Sequence, residues 1–184
     1  MSDVTQILRN WSKESEHGRG QVVAALYDEL RRNAARHLNG ESASADLQPT
    51  VLVNEAYMRL VNINRIDLSG RTHFFGLAGK IMREILVDQA RRMRAKKRDV
   101  ALQTQFADDI VSDDLPVSDI LELDEVLKGL EAIDPVYVQL FEARAFAGLT
   151  IEETAETLGM STATVKRKWK VAVAWIKEQH GGQD

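Results

Sequence analysis

Val22, Leu26, Leu30 and Ala34 recur at every fourth position within residues 21–37, and the same helical interval recurs in the other apolar segments of the 184-residue chain. Nowhere does a run of alternating β-branched residues suggest a half-buried strand. A chain with only this period can bury its apolar side chains only by packing helix on helix, so the expected fold class is all-α. Asn39-Gly40 closes the first periodic segment, and the polar residues 41–46 read as a loop. Residues 51–61 place Leu52, Ala56 and Leu60 on one stripe beside Val53 and Tyr57. Residues 62–72, with Asp67 and Ser69-Gly70, read as another loop. A long helix is then expected over about 74–98, its inner side formed by Ala78, Met82, Ile85, Leu86 and Met93.

Charge divides the chain more sharply than its net value of −4 suggests. Residues 71–98 hold nine bases and two acids, residues 99–125 nine acids and no base, and residues 161–177 five bases and no acid. On the long helix Lys80, Arg83, Arg91, Arg94 and Arg98 follow three- and four-residue spacing, which sets them in a stripe apart from the core. A solvated helical face ordinarily interleaves acids with such bases. Their near absence points to a polyanionic partner that neutralises the stripe. Residues 99–119 have few large apolar side chains and no periodicity, and Pro116 breaks them further, so they are expected to be an acidic flexible linker. The expected organisation is two small helical domains, 1–98 and 120–184, joined by 99–119.

The second of these carries the more specific local signals. Asp134-Pro135 suits a helix N-cap and first position, for a helix ending near Ala147 at Gly148. Thr150-Ile151-Glu152-Glu153 fits a capping box, opening a short helix that buries Ile151, Ala155 and Leu158 and ends at Gly159. Ser161 caps a further helix with Val165, Trp169, Ala172 and Ile176 inward and Thr162, Lys166, Arg167 and Lys170 outward. Two helices joined by a tight glycine turn form a helix-turn-helix candidate, whose second member would meet bases and phosphates in the major groove.

Enzymatic chemistry finds no foothold. There is no cysteine, so disulfides and thiolate metal sites are excluded. His17, His37, His73 and His180 are dispersed, and no acid pair has metal-ligand spacing. Neither a catalytic site nor a cofactor is expected. The start MSDVTQILRNWSKES lacks the pattern of a targeting segment, and no stretch approaches a membrane span, so a cytoplasmic protein without membrane contact is expected.

The blocks VLVNEAYMRLV, THFFGLAGKIMREILVDQARRMRAKKR and LTIEETAETLGMSTATVKRKWKVAVAWI, in that order, resemble bacterial RNA polymerase sigma factors of the extracytoplasmic-function type. The resemblance spans about residues 20–179. It implies that the first block, with Thr50, Leu52, Val53, Glu55, Tyr57 and Arg59, docks on the β′ clamp helices of core RNA polymerase. The second would recognise and melt the minus-ten element, using Asn62, Asn64, Arg71 and Thr72 on extruded bases and the basic stripe on phosphates. His73 and one of Phe74 and Phe75 are further stacking candidates. The third would bind the minus-thirty-five element through Thr162, Lys166, Arg167 and Lys170, beside the β flap. In such proteins the acidic linker imitates nucleic acid inside polymerase channels. A stand-alone helix-turn-helix regulator with an N-terminal interaction domain is the alternative, and it would bind duplex DNA without polymerase.

One departure from the family pattern stands out. Relatives carry acids just before L-V-x-E, where this chain has Gln48, Thr50 and Val51, and only Asp46 and Glu55 remain nearby. A threonine at a helix start serves as an N-cap. Phosphorylation would instead add about −1.5 to −2 charges there and restore what the departure removes. The resemblance thus implies a Ser/Thr protein kinase as the switch at Thr50, as in a subgroup not held by an anti-sigma factor, and leaves an anti-sigma factor open as a further partner of this chain.

Overall fold

The computed structural model describes residues 15–35, 49–63, 70–96 and 120–181, and all the regular structure among them is helical. Helix α1 (Glu16–Ala25) starts at Ser15, whose hydroxyl accepts from the Gly18 N–H at 3.1 Å. Helix α2 (Tyr27–Ala35) follows after Leu26, which leaves the helical region at φ −99° and ψ 1°. The expected single helix over residues 21–37 is therefore two. Val22, Val23 and Leu30, from the two sides of this break, are all buried in one core.

Helix α3 (Pro49–Val61) begins with proline, which suits the first helical position because its fixed φ is helical and its missing N–H would be unpaired there anyway. Thr50 is consequently the second helical residue, two places past the N-cap position. Helix α4 (Arg71–Lys96) starts earlier than its periodicity suggests. The Phe74 N–H donates to the Gly70 carbonyl at 3.1 Å, so Arg71 and Thr72, expected in a loop, belong to its first turn. Asn64, Arg98, the 41–46 loop and the 99–119 segment lie outside the described residues.

Helix α5 (Ile120–Ile133) leads to Asp134, whose carboxylate accepts from the Val136 N–H at 3.0 Å and caps α6 (Pro135–Phe141). The chain then widens into a π-helical turn (Glu142–Phe146), with the Ala147 N–H donating to the Glu142 carbonyl at 2.9 Å. Gly148, at φ 69°, ends it in the left-handed region that glycine reaches without strain. Helix α7 (Ile151–Leu158) has the full capping box: the Glu153 N–H donates to the Thr150 hydroxyl at 3.1 Å, and the Thr150 N–H to the Glu153 carboxylate at 2.8 Å. Of its expected inner residues Ala155 is buried, while Ile151 and Leu158 are half-buried. Gly159 turns the chain at φ 61° into α8 (Thr162–Gly181), where the Ser161 hydroxyl accepts from the Thr164 N–H at 3.1 Å.

One apolar core runs from Val22 through Phe74, Phe75, Met82 and Leu127 to Phe146 and Ile176, drawing on elements from both sides of the 99–119 segment. Leu140, Ala155 and Val165 form a smaller cluster beneath α7 and α8. The tightest crossing brings α4 against the π-helical turn. A Cβ on Gly79 would lie 2.8 Å from both the Ala147 nitrogen and the Glu142 carbonyl oxygen, so only glycine allows this approach.

Candidate nucleic-acid interface

Helix α8 separates its two faces cleanly. Val165, Ala172 and Ile176 are buried and Trp169 is half-buried, stacked on Phe141 with ring centroids 5.7 Å apart. Thr162, Lys166, Arg167 and Lys170 are all exposed. Lys168, by contrast, turns inward: its Nζ donates to Asp134 at 2.8 Å and lies 4.3 Å from the Tyr137 ring centre. The hydrogen bond from Lys168, followed by that from the Val136 N–H, holds the Asp134 carboxyl below its ordinary value. Arg144 supports the other side of the packing, with its guanidinium 5.0 Å from the Trp169 ring centre. The outward bases thus stand on a helix fixed from behind by aromatic packing, in the first half of that helix, where a major-groove reader makes its contacts.

The basic stripe of α4 is differently placed. Lys80 and Arg94 are exposed. Arg83 is not: its side chain is only 13% exposed, with Nη1 donating to Asp124 at 2.7 Å and Nε to Glu142 at 2.9 Å. Arg91 reaches the same Asp124 carboxylate at 3.1 Å, as does Lys128. Burial pushes the Glu142 carboxyl up from its ordinary value, and the neighbouring Arg83 counteracts this. At the start of the helix Arg71 pairs with Glu29 and lies 5.0 Å from the Phe75 ring centre. Thr72 is buried, as are Phe74 and Phe75, which meet edge to face at 5.4 Å. Both phenylalanines are core anchors in this arrangement, and His73 is half-buried. Asn62 is exposed, its amide donating to the Met58 carbonyl at 2.8 Å.

On α3, Leu52 and Val53 face the core, because their spacing puts them on the stripe of Ala56 and Leu60. The exposed side chains of this helix are Thr50, Val51, Asn54 and Met58, and its first turn has no acid. Glu55 and Tyr57 are half-buried, and Arg59 bridges to Glu55 at 2.9 Å and Asp88 at 3.3 Å. The outer surface of α3 is thus formed by Thr50, Val51, Asn54 and Met58, while Leu52 and Val53 are buried.

Among the described residues no group of His, Asp and Glu converges as a metal site, and no helix is long and apolar enough to cross a membrane. The family model described as ECF sigma factor matches residues 1–181. No curated protein and no solved structure matches the chain.

Proposed function

The chain belongs to the ECF sigma factor family, whose members bind core RNA polymerase and promoter DNA to start transcription, and on that premise we propose how its helices divide the work. Helices α7 and α8 are the helix-turn-helix, and α8 reads the minus-thirty-five element through Thr162, Lys166, Arg167 and Lys170. The observation that carries this is the outer face of α8 over residues 162–177, which holds bases and no acid and is entered through a capped helix and a left-handed glycine turn. Helix α4 engages the minus-ten element with Lys80, Arg83, Arg91 and Arg94, while Asn62 and Arg71 serve a melted base; Asn64 and Arg98, assigned the same two roles by their position in the sequence, lie outside the described residues. Helix α3 docks on the polymerase. The units 1–98 and 120–184 act as separate domains on the promoter, with 99–119 as their acidic connection.

Thr50 is the switch in this reading. It is exposed in the first turn of α3, where no acid precedes it and where backbone N–H groups favour an anion. A Ser/Thr protein kinase would supply the missing negative charge there.

Promoter binding by polymerase loaded with α8 variants tests the assignment. Arg167→Ala is expected to weaken it by about 1–3 kcal/mol, the range for one bidentate base contact. Unchanged promoter affinity in a Lys166, Arg167 and Lys170 triple-alanine variant would remove α8 from the interface. Folding is expected to survive, since Val165 and Trp169 carry the packing.

A further inference from the structure

Arg83 and Arg91, two bases of the stripe assigned to promoter DNA, are already held by carboxylates of the C-terminal helices. Arg83 lies between Asp124 and Glu142, whose side chains are 8% and 6% exposed, and Arg91 shares Asp124. Both carboxylates offer what a phosphate offers an arginine: negatively charged oxygen acceptors, here at 2.7 to 3.1 Å.

The seam around these pairs is built for contact at short range. Gly79 admits the π-helical turn against α4, and Gly76 faces Thr157, whose methyl carbon would be 3.1 Å from a Cβ at that position. Asn33 closes the far side, donating to the Ala147 carbonyl at 2.7 Å. An open cleft of about 290 Å³, whose lining includes the bases Arg59, Arg91 and Lys128 and the acids Glu84 and Asp88, reaches these pairs from solvent. Buried ion pairs fix which surfaces meet more than they add net stability, since each charge loses its hydration. A seam held this way can be exchanged: phosphates arriving through the cleft replace carboxylates at the same guanidinium groups, with the number of charge-assisted bonds conserved.

We propose that Asp124 and Glu142 are an internal substitute for the DNA backbone, and that the C-terminal helices and promoter DNA compete for one face of α4. The inference rests on the reading of α4 as a DNA-binding helix. In the closed form the chain withholds Arg83 and Arg91 from DNA. Part of the acidic block that separates the two basic ones thereby acts on the chain itself.

A reversible lock tests this. The chain has no cysteine, so Gly76→Cys with Thr157→Cys introduces one pair, placed across the seam where the two side chains meet. Oxidation is expected to form the bridge within the full-length monomer. The oxidised protein should bind a fluorescent single-stranded oligonucleotide of promoter sequence, without polymerase, at least tenfold more weakly than the same protein reduced with dithiothreitol. In the cysteine-free chain Asp124→Asn with Glu142→Gln should tighten that binding, and so should Ala147→Leu, a wedge in the seam that alters no charge. Equal affinity of the oxidised and reduced forms would overturn the proposal, as would failure of the bridge to form. Transcription by the reduced pair with core polymerase reads the sigma-factor assignment separately, so the two ideas fail independently.

Discussion

Stoichiometric phosphorylation of Thr50 is expected to raise the affinity for core RNA polymerase by at least about tenfold. A charge-assisted hydrogen bond contributes about 1.5–3 kcal/mol, and each 1.4 kcal/mol is a factor of ten, so a single new bond to a basic clamp residue suffices. The position makes the phosphate available: Thr50 is exposed, and the first turn of α3 contains no acid to repel it. Thr50→Ala should leave stability within about 0.5 kcal/mol, because a second helical residue makes no N-cap bond to lose. The same variant should fail to activate transcription in cells that contain the kinase. Titration of phosphorylated and unmodified protein with core polymerase at fixed salt checks this, and equal affinities would leave Thr50 without a regulatory role.

Phe141→Ala is expected to produce the largest loss of stability, about 3–5 kcal/mol, the range for emptying a fully buried aromatic site. Phe141 is fully buried at the junction of α6 with the π-helical turn, stacked on Trp169 and 6.2 Å from Phe146 by ring centres. Its removal takes away both an aromatic neighbour of α8 and the packing of the turn. Met58→Ala, at a side chain 60% exposed, should stay within about 0.5 kcal/mol. Urea unfolding of the two variants checks the contrast. A loss below about 1 kcal/mol for Phe141→Ala would mean that the junction repacks, and the aromatic backing of α8 would need another explanation.

What the sequence revealed beforehand depended on the range of the interactions. The Asp134 cap, the Thr150 and Glu153 box and the turn at Gly159 each involve partners within three or four residues, so residue type and spacing suffice to read them. The outward set on α8 follows from the helical period alone. Arg83 shows the opposite case. Its partners Asp124 and Glu142 are 41 and 59 residues away, and neither periodicity nor capping carries information over that distance. The acidic block was visible as charge, but not its destination. Local rules also misplace boundaries where tertiary packing decides them. Leu26 breaks an apparently continuous helix, and EARAF adopts π-helical bonding where a regular helix to Ala147 was expected. Leu52 and Val53, assigned to a docking surface by resemblance, are claimed by the core.

The central claim is that this chain directs core RNA polymerase to promoters. Run-off transcription with purified core polymerase, the phosphorylated chain and a promoter selected from genomic fragments tests it most directly. Expected is a discrete transcript that requires both polymerase and chain and that diminishes in the Lys166, Arg167 and Lys170 triple-alanine variant. Sequence-specific binding to duplex DNA by the chain alone, with no transcript and no association with core polymerase, would contradict the claim and establish a stand-alone DNA-binding regulator instead.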